Sequence, residues 1–120
     1  MSETNTDLSS RSVEERVKIL DKLKAGYPGK ILLCFKKSAQ GNSSTPNLPP
    51  AIMVNHSSTW GSILASLRST YKLKPEEALF FLCNNQQITG SILISQLAAE
   101  HLKHEGDFLT IVYAAESTFG

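Results

Sequence analysis

The residues with the clearest chemical use lie at the end of the chain, where Phe119 and Gly120 follow a short polar stretch. Glycine has no Cβ atom, so its backbone can approach another backbone or a ligand closely. Activation of a carboxyl group requires the terminal carbon to enter a narrow site and be attacked by a nucleophile. We therefore interpret Gly120 as a joining point. The alternative is a frayed terminus that happens to end in glycine, since chain ends are usually poorly ordered.

The other reactive side chains do not form a pattern typical of an active site or a metal site. His56, His101 and His104 share no metal-ligand spacing with Cys34 and Cys83. Both cysteines lie in apolar runs, where burial raises the pKa of a thiol and makes it inert. No glycine-rich phosphate loop occurs. We therefore predict that the protein is not an enzyme and has no catalytic residues, no metal and no cofactor.

Composition predicts one small globular domain, because the 120 residues are 41% hydrophobic and 19% charged. The formal net charge of +1 is too small to suggest a nucleic-acid partner. No apolar run approaches the roughly 18 residues of a membrane span, and the polar N-terminus does not resemble a signal peptide. We expect a cytosolic or nuclear protein with reduced thiols.

The elements that must position these residues begin after a polar tail. Residues 1–11 are rich in Ser, Thr, Asn and Asp, and we expect them to be disordered and to bury nothing. Ser12 is the expected N-cap of a helix that Gly26 and Pro28 terminate. A strand at residues 30–35 and a polar loop at 38–50 follow. A second strand, at residues 51–54, is expected at the edge of a sheet because prolines precede it.

The second half of the chain contains the strongest helical periodicity, followed by two strands and a shorter helix. That periodicity is carried by Trp60, Ile63, Leu64, Leu67 and Tyr71, with Ser57 or Ser58 as the expected cap. Strands are predicted at residues 78–83 and 107–113. Between them Thr89-Gly90-Ser91 opens a short helical stretch that Gly106 ends, with Ile94, Leu97, Ala98 and His101 on one side. This order predicts an α+β fold, a β-grasp ubiquitin-like roll with a four-stranded mixed sheet and an additional N-terminal helix. Residues 12–115 would form this domain, and residues 116–120 a flexible tail.

The predicted edge strand at residues 51–54 is the candidate binding surface. An exposed edge offers unpaired N–H and C=O groups, to which an extended peptide can add as another strand. The alternative is that Pro49, Pro50 and the polar loop before them only protect the edge from aggregation.

The order of several short motifs resembles the autophagy-related protein 8 family, which includes the microtubule-associated light chain 3 and GABA-receptor-associated proteins. The resemblance extends from about Val13 to Gly120. The motifs that carry it are Tyr27-Pro28, Ile31–Phe35, Thr59-x-Gly61, Leu67-Arg68, Lys72-Leu73-x-Pro75-Glu76, Ala78-Leu79-Phe80, Thr89-Gly90, Phe108-Leu109 and Thr118-Phe119-Gly120.

The resemblance implies a ubiquitin-like modifier of autophagy that is joined to phosphatidylethanolamine. The Gly120 carboxylate would be adenylated by an activating enzyme, passed as a thioester between enzyme cysteines, and joined to the lipid amine. Phe119 would help to seat the tail on these enzymes, and a cysteine protease would process or deconjugate the modifier. The protein would be cytoplasmic, and bound to autophagosomal membranes when lipidated.

The resemblance also implies docking of adaptor or cargo-receptor peptides that carry an aromatic residue, two spacers and an aliphatic residue. The aromatic pocket would use Leu23, Leu32, Cys34, Met53 and Phe108. The aliphatic pocket would use Val54, Ile63, Leu67 and the stem of Arg68.

Several positions depart from the family pattern and indicate a divergent member. The family's basic residues before the edge strand are replaced around Pro49-Pro50-Ala51, and a further basic position is Thr70. Lys30 and Lys24 are the nearest substitutes for recognising acidic flanks of a peptide. The family's usual N-terminal helix is not recognisable in residues 1–11.

Two alternatives remain open. One is a modifier similar to autophagy-related protein 12, which is joined to a lysine of a protein. The other is an unconjugated ubiquitin-like interaction domain.

Overall fold

The computed structural model describes residues 2–4, 8–38, 47–73 and 79–114. Within them the chain forms a mixed six-stranded sheet, in the order β1-β3-β2-β6-β4-β5, and three helices. The helices are α1 (Val13–Gly26), α2 (Trp60–Thr70) and α3 (Ile94–His101). The strands are β1 (Ser2–Thr4), β2 (Lys30–Lys37), β3 (Ala51–Asn55), β4 (Phe80–Cys83), β5 (Gln86–Gln87) and β6 (Leu109–Ala114).

The predicted β-grasp ubiquitin-like fold with an additional N-terminal helix is confirmed. β2 and β3 form an antiparallel pair, and β6 lies between β2, to which it is parallel, and β4, to which it is antiparallel. The prediction of four strands was incomplete, because β1 and β5 extend the sheet at its two ends. β5 follows a tight turn in which Asn84 and Asn85 have φ values of 50° and 63°, the left-handed conformation that Asn tolerates in hairpin turns.

The helix boundaries follow from local capping. Ser12 caps α1 as predicted, since its hydroxyl oxygen accepts a hydrogen bond from the Glu15 backbone N–H at 3.2 Å. The expected cap of α2 was wrong by one or two residues. Thr59, not Ser57 or Ser58, accepts from the Ser62 N–H at 3.2 Å.

The sheet has two faces that are covered differently, and the alternation of side chains along β2 and β3 separates them. One, the α2 face, carries Leu33 and Ile52 opposite each other and packs in the main core with α2 and α3. The other, the α1 face, carries Leu32 opposite Met53 and Cys34 opposite Ala51. It packs against partly buried side chains of α1, namely Ile19, Leu20 and Leu23.

The expectation that residues 1–11 are disordered and bury nothing is wrong for the part of that segment that the structure describes. Ser2–Thr4 pairs with β3, and Leu8 is 1% exposed among the apolar side chains of the α1 face. The sequence pattern concealed both features, because β1 consists of polar residues and Leu8 is a lone apolar residue in a polar stretch.

Candidate peptide-docking site

The tail that carries Phe119 and Gly120 lies outside the described residues, which end at Ala114 in β6. The structure describes the strand from which that tail continues, β6. β6 is an interior strand, paired on both sides, and its Leu109 and Ile111 are at most 1% exposed. The residues after Ala114 therefore continue from one of the most strongly held strands of the sheet.

The expected free edge at residues 51–54 is not free. β1 pairs antiparallel with β3, placing Ser2 opposite Met53, Glu3 opposite Ile52 and Thr4 opposite Ala51. β3 is therefore the last long strand on this side of the sheet, with a three-residue strand of the same chain along its outer edge.

On the α1 face the structure brings together all five residues predicted for the aromatic pocket. Leu32, Cys34 and Met53 are buried there, at 2–8% exposure, and Leu23 and Phe108 are partly buried beside them. The Arg16 guanidinium carbon lies 5.8 Å from the centroid of the Phe108 ring, a cation–π distance at the border of this cluster. These are the predicted pocket residues: Leu23, Leu32, Cys34, Met53 and Phe108.

Leu8 fills the same cluster. It was not predicted as a site residue, and its position is fixed by the turn before α1, where the Arg11 backbone N–H donates to the Leu8 carbonyl oxygen at 3.2 Å. A single leucine seven residues from the chain start gives no periodic signal, so only the structure reveals its burial.

On the other side of β3, a groove of about 200 Å³ lies between the end of β3 and the side of α2. The groove is lined by four of the predicted site residues, Lys30, Met53, Val54 and Ile63. Leu67 does not line it; it is fully buried in the main core, and Arg68 is partly exposed in the last turn of α2. The remaining lining is polar and comes from Asn55, Ser58, Ser62 and Ser66.

The apolar cluster of the α1 face and the groove lie on opposite sides of β3, and this geometry suits the predicted peptide motif. In an extended chain, residues i and i+3 project to opposite faces because side chains alternate. A peptide added to the edge of β3 would therefore send its aromatic residue to the α1 face and its aliphatic residue to the α2 face. Lys30 is a basic residue in the lining of the groove, and its Nζ lies 5.9 Å from the Tyr27 ring centroid.

Two motifs of the resemblance have a structural explanation away from this site. The Gly61 N–H donates to the Gly90 carbonyl oxygen at 2.8 Å, and a Cβ on Gly61 would lie 3.0 Å from that oxygen. Thr59 forms a bridge with Leu93 next to this contact. The Thr59-x-Gly61 and Thr89-Gly90 motifs thus hold the start of α2 against the segment before α3.

Among the described residues, no group of three or more His, Cys, Asp or Glu side chains is arranged to hold a metal ion. Cys34 and Cys83 are both buried. Burial, and to a smaller extent the charge of Glu100, raises the pKa of Cys83, which keeps this thiol protonated. None of the helices in the described part of the chain is long and apolar enough to cross a membrane.

Comparison with known proteins adds sequence relatives to this geometry. A family model described as "Autophagy protein Atg8 ubiquitin like" matches residues 15–120. Autophagy-related protein 8a of Arabidopsis thaliana is 30% identical over 112 residues, which cover 92% of this chain and 89% of that protein. Autophagy-related protein 8b of the same plant is 29% identical over 119 residues, covering 98% and 95%.

A fungal relative and a solved structure agree with this result. Autophagy-related protein 8 of Mycosarcoma maydis is 28% identical over 112 residues, covering 93% of each chain. The crystal structure of Trypanosoma brucei ATG8 matches with a TM-score of 0.77 and 24% identity, covering 98% of this chain and all of that one. The structural match establishes the shared fold.

Proposed function

The chain belongs to the Atg8 family of ubiquitin-like autophagy proteins, and we propose that it is a modifier joined through Gly120 to phosphatidylethanolamine. The observation that carries this proposal is the family match, which extends to residue 120 and so includes the terminal glycine. The central position of β6 supports it, because an interior strand gives the tail a firm attachment to the domain.

The chemistry of joining is supplied by partner enzymes, and the modifier itself is not an enzyme. An activating enzyme would form the Gly120 acyl-adenylate and release pyrophosphate. A cysteine thiolate would then displace AMP to give a thioester, which passes to a conjugating enzyme, with Phe119 helping to seat the tail. The lipid amine finally displaces the enzyme thiol and forms an amide.

Joining to this lipid would move the protein from the cytoplasm to the autophagosomal membrane. The two acyl chains of one lipid are enough for stable anchoring. A cysteine protease would reverse the attachment by hydrolysing the amide at Gly120.

We further propose that the edge of β3 docks adaptor or cargo-receptor peptides. The peptide would add as a strand, with its aromatic residue among Leu23, Met53 and Phe108 and its aliphatic residue beside Val54 and Ile63. The two pockets on opposite faces match the spacing of an aromatic-x-x-aliphatic motif, and Lys30 favours an acidic flank. Leu67 and Arg68 would contribute from α2 by packing behind the groove and at its border.

The conjugation proposal is tested by intact mass after incubation with activating and conjugating enzymes, ATP and phosphatidylethanolamine liposomes. We expect a gain of one lipid mass minus water in the wild-type chain and no gain in a variant that lacks Gly120. A membrane adduct that persists without Gly120 would refute this proposal. A covalent shift onto a protein lysine would favour the modifier similar to autophagy-related protein 12.

The docking proposal is tested by titrating a labelled acidic peptide with an aromatic-x-x-aliphatic motif. Met53→Glu places a carboxylate in the apolar cluster of the α1 face, so peptide affinity should fall while conjugation at Gly120 is retained. An unchanged affinity in a folded Met53→Glu protein would exclude this pocket.

A further inference from the structure

The outer edge of β3 can pair with only one additional strand, and β1 is already paired there. In an edge strand every second residue directs its backbone N–H and C=O groups outward, and these groups can pair with only one further strand. The register of β1 places it along Ala51, Ile52 and Met53. A peptide that adds to the same stretch of β3 must use the same backbone groups. Peptide and β1 cannot both be paired there.

The aromatic pocket is occupied as well. Leu8 is 1% exposed and packs with Leu32, Cys34 and Met53, with Leu23 and Phe108 also against this cluster. These are the side chains to which the proposed docking assigns the aromatic residue of the peptide. Interiors are close-packed, so a ring cannot enter while Leu8 remains.

Both contacts belong to one short segment, which we call the N-terminal segment and define as β1 together with Leu8. It is attached to the domain by the turn that joins Leu8 to Arg11 and by the Ser12 cap of α1. Leu8 belongs to the cluster of the α1 face and not to the main core, so release of this segment leaves the main core intact. Segments with few buried contacts open locally without global unfolding.

We propose that the N-terminal segment is an intramolecular competitor of the adaptor peptide, and that docking requires its displacement from β3 and from the aromatic pocket. This inference rests on the proposed docking function. The chain then exists in a closed form and an open form, and only the open form binds. If the open form makes up roughly a tenth of the population, apparent affinity is about tenfold weaker than the intrinsic affinity.

The experiment compares peptide affinities of full-length variants by calorimetric titration. Leu8→Asp disfavours burial of residue 8, and Thr4→Pro removes an N–H and imposes a φ that is poor for a strand. Leu102→Ala is the matched control, because Leu102 is a partly buried leucine that packs against the main core on the other face. Met53→Glu reports on the pocket itself.

Competition predicts that Leu8→Asp and Thr4→Pro each bind the peptide about tenfold more tightly than wild type, while Leu102→Ala is unchanged. Equal or weaker binding by the folded Leu8→Asp and Thr4→Pro proteins would overturn the competition but not the docking, provided that Met53→Glu abolishes binding. If no variant binds and wild type does not bind either, the proposed docking fails and the competition fails with it.

A second measurement on the wild-type chain is independent of how these variants fold. The methyl resonances of Leu8 in a protein with labelled leucines should move from buried to solvent-exposed positions as peptide is added. Leu8 methyl groups that stay buried in the saturated complex would refute displacement, whatever the affinities of the variants.

Discussion

The two faces of the sheet differ in what closes them. On the α2 face, Leu33, Ile52 and Ile111 are fully buried, and α2 covers them with an apolar stripe that includes Leu67. On the α1 face, α1 has no buried residue and covers the strands only in part. Leu8, which comes from outside any helix, completes that cover. A sheet face that an amphipathic helix covers completely remains buried in the core. A face that a short segment helps to cover can exchange that segment for a ligand.

The largest expected effect comes from the α2 face. Leu67→Ala removes a side chain with 0% exposure, and we expect unfolding free energy to fall by about 2–5 kcal/mol. Urea denaturation followed by the fluorescence of the single tryptophan, Trp60, measures it. Leu64→Ala, which removes a partly buried leucine of the same helix, should cost less. A Leu67→Ala protein as stable as wild type would contradict the view that the α2 face belongs permanently to the core.

A smaller effect is expected from Leu8→Ala, although Leu8 is as buried as Leu67. The unfolding free energy should fall by an amount at the lower end of the roughly 0.5–3 kcal/mol typical of single substitutions. The reason is that the N-terminal segment can detach, so that no cavity need remain in the core. The same urea experiment measures it, and hydrogen exchange at the β3 backbone should become faster. If Leu8→Ala lost as much unfolding free energy as Leu67→Ala, the two faces would contribute equally to the stability of the domain.

The smallest effect concerns the turn that leads into Phe108 on the α1 face. One Asp107 carboxylate oxygen accepts hydrogen bonds from the backbone N–H groups of Lys103 and His104, at 2.9 and 2.8 Å. These two bonds, the one from His104 foremost, hold the pKa of Asp107 below its ordinary value. The carboxylate therefore stabilises the fold above the pKa of the unfolded chain, about 3.9, and this contribution is lost as the pH falls through the lower folded value.

Asp107→Asn tests this turn. We expect the variant to be less stable than wild type at pH 7, and the difference to shrink as the pH falls below the ordinary aspartate range. Urea denaturation at pH 7 and at acidic pH measures both differences. A difference that is the same at both pH values would mean that the charge of Asp107 is not what stabilises the turn.

The difference between the two faces also explains which parts of the structure the sequence could predict. The α2 face follows from periodicity, because Trp60, Ile63 and Leu67 repeat at helical spacing and the strands are apolar runs. The five residues of the predicted aromatic pocket lie together, although their role in docking stays a prediction. The sequence did not reveal β1, since backbone pairing needs no particular side chains, and Leu8 lacks the neighbours that make a pattern.

The site was harder to predict than the fold for the same reason. A residue is recognisable when its neighbours in sequence share its environment, as along α2. The edge of β3 is instead completed by residues about fifty positions earlier in the chain, a contact that no local pattern encodes. Gly120 lies outside the described residues, so its assignment depends on the sequence and on the family match.

The position of β6 has a mechanical consequence. A load applied to the chain beyond Ala114, as by a tether to a surface, enters the sheet along an interior strand that is parallel to β2 and antiparallel to β4. The inter-strand hydrogen bonds of both ladders lie across the direction of pull. They are therefore strained in shear and must break together, not one after another as in peeling. The domain should resist force at its C-terminal end far better than force applied to the three-residue strand at its other end.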